Sequence, residues 1–263
     1  MNIPKFELSP ILGPISAPLD FGTISTTQKH AYGRLYETWD GKRYRYGHSV
    51  GDCLSGFGAA NVGTQNIAVV LPVAAAVGDM TILVTIASGD GYAGNGLIAD
   101  GELCGANLVI GHGEALVTNR TILANTPVAS GGGTSLLQLD GPVTQVMTAA
   151  SSYSEIVLNR FAHLNRTGAG LEYHGFMGVP EKNCASTYNG WFQTRGPCWL
   201  CPGSGDATPG NTVNDRTAFF VGDGSVNFGT ALTVETGYQM AGYCIDTTAG
   251  AVSALPMIQL MLE

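Results

Sequence analysis

Arg34-Leu-Tyr-Glu-Thr-Trp39 runs into Asp40-Gly41 and then into Lys42-Arg-Tyr-Arg-Tyr46. An Asp-Gly pair between two β-prone runs is a strong short-range hairpin signal, because a tight two-residue turn needs positive φ at both central positions. The stretch therefore predicts a hairpin. Tyr44 and Tyr46 share one face, and the basic cluster Lys42, Arg43 and Arg45 reads as the exposed side of the strand.

The same signature continues toward the C-terminus. Residues 61–147 consist of short β-prone runs broken by Gly, Asn and Asp: Asn66–Val73, Met80–Ala87, Asn107–Ile110, Ala115–Leu123 and Thr134–Asp140. Within 80–87, Thr81, Leu83 and Thr85 alternate with Ile82, Val84 and Ile86. Both faces carry apolar residues, which predicts a buried central strand. The Gly-rich stretches Ser88–Asn95 and Ala129–Gly133 read as loops. Residues 145–164 are ambiguous and are read as a short helix or turn followed by a strand. Further strands are expected at Leu171–Val179, Tyr188–Thr194, Thr217–Val221, Tyr238–Ile245 and Pro256–Leu262. Many short strands separated by turn signals indicate an all-β sandwich or barrel of jelly-roll-like or Greek-key type. The expected organisation is an arm over 1–28 and a β-rich domain over 29–263, with a possible division into two β subdomains near 150–165.

The arm is a distinct segment. Pro4, Pro10, Pro14 and Pro18 exclude a helix and favour an extended path. Phe6, Leu8, Ile11, Leu12, Ile15, Leu19 and Phe21 lie between and beside them. Such apolar content suits an arm packed on its own domain or on a neighbouring subunit.

Charged residues are only 12% of the 263, Gly numbers 37, and the net charge is −8. Low charge fits either a surface covered by partners or a β protein with a Ser/Thr/Asn surface. The negative balance argues against nucleic acid as a direct partner. The longest apolar run, Ile67–Val77, is too short to span a membrane and contains Pro72. The N-terminus lacks the apolar core of a signal peptide, so the reading expects a protein made and kept in the cytoplasm until the cell lyses.

Motifs of chemistry are sparse. No GxSxG, Walker A, HExxH or EF-hand pattern is present. Cys198-Trp-Leu-Cys201, with Cys184 and one of Cys244, His163 or His174, is the best metal candidate, but a second closely spaced pair is missing and buried, unrelated thiols are favoured. His30, His48 and His112 sit in no pattern with a nucleophile. Asp52, Asp90, Asp100, Asp140, Asp206 and Asp223 stand mostly beside Gly, which is turn placement; calcium loops and a glycosidase pair are the alternatives. Trp39, Trp191 and Trp199 are read as core residues, with a sugar platform as the alternative. No catalytic residue, cofactor site or metal site is assigned.

Four segments carry a resemblance: Asp40-Gly-Lys-Arg-Tyr-Arg-Tyr46; Val73-Ala-Ala-Ala-Val-Gly-Asp-Met-Thr-Ile-Leu-Val-Thr-Ile86 followed by Asn107-Leu-Val-Ile-Gly111; Gly190-Trp-Phe-Gln-Thr-Arg-Gly-Pro197; and Gly242-Tyr-Cys-Ile-Asp246 before an apolar C-terminal strand. With Asn125, Gly131–Gly133 and Leu136–Pro142 in order between them, they resemble a family of tailed-phage virion proteins that includes capsid decoration or cement proteins. Cys184, Cys198, Cys201 and the Pro-rich arm fall outside that pattern. The resemblance implies a non-enzymatic virion protein on the outer capsid surface. Its partners would be the major capsid protein and further copies of itself, as a trimer. A tail or head-fibre protein, with or without carbohydrate binding, is the alternative.

Overall fold

The structure is a computed structural model that describes residues 22–61, 66–91, 94–111, 117–147, 153–166, 175–203, 216–229, 239–246 and 256–263. Among these residues there is no helix, and sixteen strands form two antiparallel sheets. The chain starts with β1 (Leu35–Glu37), β2 (Arg43–His48) and β3 (Ala59–Asn61). It continues through β4 (Asn66–Val69), β5 (Thr81–Ile86), β6 (Asn107–Gly111), β7 (Val117–Asn125), β8 (Gly133–Leu139) and β9 (Tyr153–Val157). It ends with β10 (Leu164–Asn165), β11 (Phe176–Pro180), β12 (Asn189–Trp199), β13 (Thr217–Phe220), β14 (Val226–Phe228), β15 (Met240–Asp246) and β16 (Met257–Met261).

These strands fall into two compact units. One holds the strands between residues 63 and 159, and the other the strands between residues 10 and 62 and between residues 160 and 263. The first unit is thus inserted into the second.

The inserted unit is a nearly closed barrel. Its strand order is β4-β9-β6-β7-β8-β5, and the open edges meet at a Val70–Thr85 bridge whose two N···O distances are 2.7 and 3.4 Å. Alternation sends one set of side chains inward: Ile82, Val84 and Ile86 from β5, Leu108 and Ile110 from β6, and Leu137 and Leu139 from β8. That interior is aliphatic apart from Met147. The expectation of a central strand buried on both faces at 80–87 is corrected here. β5 stands at the end of the strand path, Thr81 is exposed and Leu83 and Thr85 are half-buried. A barrel wall has one interior face, and Leu83 faces outward beside its cross-strand partner Leu136.

The second unit is a half-barrel built around the long strand β12. Over Asn189–Arg195 it pairs with β2, and over Arg195–Trp199 it pairs with β16. The order β10-β3-β11-β12-β16-β15-β13-β14 completes the sheet. Here the core is aromatic. Phe176 and Phe220 stack with ring centroids 4.6 Å apart, and Tyr44, Tyr46 and Trp191 form a separate buried cluster on β2 and β12.

The 34–46 hairpin forms with Tyr36 opposite Tyr44. Its turn differs from the expected two-residue form. Gly41 N–H donates to the Thr38 carbonyl, Thr38 N–H donates to the Lys42 carbonyl, and Gly41 alone has positive φ, at 82°. This is a three-residue loop in which a type I turn is followed by a left-handed glycine. The longer loop leaves Trp39 at the tip, 99% exposed.

Of the N-terminal arm, residues 1–21 lie outside the described residues. Its last part packs on its own unit: Ser25 exchanges two backbone hydrogen bonds with Asn189, at 2.7 and 3.0 Å, and Ile24 rests against the Cys53–Phe192 cluster. Of the ambiguous stretch, Tyr153–Val157 is strand, while 148–152 lie outside the described residues.

Candidate interaction surfaces

Antiparallel sheets usually pack one face on a core and present a polar face to water. The second unit departs from this along β12, β16, β15 and β13. Inward, Cys198, Ala218, Phe220, Cys244, Ile258 and Leu260 belong to its core. Outward, the register aligns Trp199, Met257 and Asp246 in one row, and Pro197, Gln259, Tyr243 and Thr217 in the next. Met261, Met240 and Ile245 add to this side. Trp199, Met240, Tyr243, Ile245 and Met261 are each between 43 and 49% exposed. The other side of this strand set is already packed, and exposed apolar side chains gathered on one face are of the kind that interaction sites use. A bulge between Cys244 and Asp246 turns both Ile245 and Asp246 outward. Arg195 and Asp246 mark opposite ends of the face, since β12 pairs with β16 from Arg195 to Trp199 and Trp199 shares its row with Asp246.

The barrel has an apolar surface of its own. Segment 72–80 is tied to 143–147 by the Ala75–Met147 bridge and by Gly78 N–H donating to the Val143 carbonyl at 2.9 Å. Along it Val73, Val77, Met80 and Val146 are exposed, as is Val70 on the closing bridge.

The residues singled out for chemistry are dispersed. Cys198 points into the core from β12, and Cys201, three residues on, lies half-exposed beside Gly56. Extended backbone rises about 3.3 Å per residue and alternates faces, so this spacing does not aim two thiols at one ion. Cys184 sits in a different cluster, opposite Cys53. Among the described residues no three His, Cys, Asp or Glu side chains group as a metal site. Burial raises the thiols: Cys53 and Cys104 to about 11, Cys184 and Cys198 to about 12.

His30 and His48 are structural neighbours of the aromatic cluster. His30 packs on Tyr46 and Trp191 with centroids 5.1 and 5.4 Å away, and its Nδ1 accepts from Arg34 at 3.2 Å. His48 Nδ1 meets Asn189 Oδ1 at 3.2 Å. Burial lowers both pKa values, helped at His30 by Arg34 and Lys29 and at His48 by His163. His112 and His174 lie outside the described residues.

Of the acidic residues, Asp90 and Asp223 brace their own turns, whereas Asp140 and Asp52 tie distant segments together. Asp90 accepts from Ala87 N–H at 3.0 Å, Asp140 from Thr121 N–H at 3.1 Å, and Asp223 from Ser225 N–H at 2.9 Å. Asp52 accepts from Ser186 N–H at 3.4 Å. Asp206 lies outside the described residues. Of the tryptophans only Trp191 is a core residue; Trp39 is exposed at a hairpin tip and Trp199 at the end of β12, and Trp191 is buried, so the three do not make one platform.

The apolar outer face escapes a reading of sequence alone because its members come from three distant segments. The available signal was the pair Met257 and Met261 flanking Gln259 on a strand whose other face is Ile258 and Leu260. No family model matches the chain, and no curated protein and no solved structure is significantly similar to it.

Proposed function

We propose that this chain is a non-enzymatic capsid decoration or cement protein. It binds the outer surface of a tailed-phage head and bridges neighbouring subunits of the major capsid protein. The observation that supports this reading is that each of the two units carries its own exposed apolar surface. Bridging needs two contact surfaces in one chain, and two sites joined covalently hold far better than either alone. The binding chemistry is burial of apolar area, at about 25 cal/mol per Å². Copies placed around a three-fold position of a shell would associate as a trimer. The place of action is the virion surface, after synthesis in the host cytoplasm.

The test is copy number, by quantitative mass spectrometry of purified particles against the major capsid protein. A ratio near one, or a simple fraction of it, is expected. Absence from particles overturns the proposal. A handful of copies per particle favours the second reading, a tail or head-fibre protein that binds carbohydrate. What favours that reading is Trp39, held fully in solvent at a hairpin tip, since a sugar stacks on such a ring. Glycan-array binding lost on Trp39→Ser would identify it.

A further inference from the structure

Cys53 and Cys184 lie directly opposite each other. Cys53 N–H donates to the Cys184 carbonyl and Cys184 N–H to the Cys53 carbonyl, both at 2.8 Å, in an isolated antiparallel bridge. Side chains of directly opposed residues leave the same face, and both thiols belong to one buried cluster with Phe161, Leu164 and Phe192. The Ser49 hydroxyl lies 3.2 Å from Cys53 Sγ and 3.3 Å from the Cys184 carbonyl, in the same pocket. Hydrogen-bonded antiparallel partners have Cα atoms about 5.5 Å apart, within the range a disulfide spans. The Cβ atoms must close by about 1 Å, a shift that the flanking hydrogen bonds, Ser49 with Thr187 and Tyr188 on one side and Ser55 N–H to Asn183 Oδ1 on the other, must accommodate.

The position in the chain gives such a bond its consequence. Residues 54–183 between the two cysteines contain the whole barrel unit, which leaves and re-enters the second unit at 62/63 and 159/160. We propose that Cys53 and Cys184 are a cross-linking site, oxidised by a low-molecular-weight disulfide, that clamps the chain around the inserted barrel. One thiolate attacks the reagent to give a mixed disulfide and releases one thiol. The second thiolate then displaces the other thiol. The protein thus gives up two protons and two electrons, and the reagent ends as two thiols. The inference stands on this geometry and not on the capsid reading.

Burial holds Cys53 at about 11 and Cys184 at about 12, with Cys53 adding to the shift at Cys184. The folded protein is therefore oxidised slowly near neutrality, and about tenfold faster per pH unit above it. A closed loop of this size raises the melting midpoint by on the order of 10 °C. The test uses the full chain in two arms. In one, the folded protein is held in oxidised glutathione at pH 7 to 9; in the other, it is refolded from the reduced, denatured state in a glutathione buffer. Peptide mapping reads the linkage. The expected result is a Cys53–Cys184 bond in both arms, with a raised midpoint that Cys53→Ser and Cys184→Ser each abolish and Cys104→Ser does not. No such linkage in the refolding arm, or a linkage with an unchanged midpoint, overturns the proposal.

Discussion

Replacing Met240 and Met261 by lysine separates the folding role of the outer sheet face from its docking role. The two residues are 44 and 46% exposed, so roughly half of each side chain already packs on its own sheet. A lysine stem covers that half while its ammonium reaches water, so folding changes by less than about 1 kcal/mol. Docking responds differently. Covering the exposed half of a methionine stabilises a complex by about 1 kcal/mol, half the value for full burial. Burying an unpaired ammonium adds a penalty of several kcal/mol. Each single substitution should therefore weaken docking by about 4 kcal/mol, or about a thousandfold in Kd. The assay is co-sedimentation with shells that lack the protein, alongside a thermal melt of each variant and a Met261→Leu control that retains binding. Lysine variants that fold normally and bind shells like the parent refute the assignment of this face. Failure of the parent itself to bind shells refutes the capsid reading instead.

Other expectations follow from the cores. Phe220→Ala removes a fully buried ring stacked on Phe176 and should destabilise the second unit by about 3–5 kcal/mol. All three tryptophans lie in that unit, so fluorescence-detected melting reports the loss, and an unchanged midpoint contradicts the packing. Gly242→Ala would place a Cβ 1.9 Å from the Gln259 carbonyl oxygen between β15 and β16, at φ +154°, so little folded protein should be recovered; a normal melt contradicts that register. His30 and His48 have folded pKa values below 6.5, so the unfolded chain binds more protons. Their stabilising contribution is present in full above 6.5 and is lost as pH falls through the lower folded values. The fluorescence midpoint should drop between pH 7 and 5, and His30→Gln with His48→Gln should flatten that drop.

Local patterns in this sequence carry far. The Tyr44/Tyr46 face and its basic reverse side, the strands at 81–86 and 107–111 and the turns braced by Asp90 and Asp223 all follow from alternation and turn chemistry between near neighbours. The misses share one cause, which is long-range pairing. β3 and β10 are two or three residues long and Ala59-Ala-Asn61 has no β-branched residue, so only partners distant in the chain make them strands. The turn at 38–42 shows the same limit on a small scale. Asp-Gly fits both hairpin loop lengths, and the pairing of Tyr36 with Tyr44 selects the longer one. The insertion of the barrel is marked by no linker composition, because the chain crosses between units at Val62/Gly63 and Asn159/Arg160 without a Pro- or Ser-rich run. Cys53 and Cys184 meet only through register, and Trp199 and Tyr243 share a face only through it.

Two differently built cores in one chain bear on how such a protein would hold a shell. The barrel interior is aliphatic and the unit exposes apolar groups along 70–80 and at Val146, while the second unit has aromatic rings both in its core and on its outer face, where Trp199 and Tyr243 are exposed. If each half-exposed side chain on that face adds about 1 kcal/mol on burial, its five large members together give about 5 kcal/mol. Losing rotational and translational freedom costs about 4 kcal/mol or more, so this face alone binds more weakly than millimolar. A second surface on the same chain turns the next contact into an intramolecular one, at an effective concentration of about millimolar or above. Tight attachment then requires both surfaces at once. On the proposed cement reading, a capsid subunit that offers only one site would hold the protein weakly and two neighbouring subunits that engage both surfaces would hold it more firmly, which is the discrimination between free and assembled subunits that the reading requires.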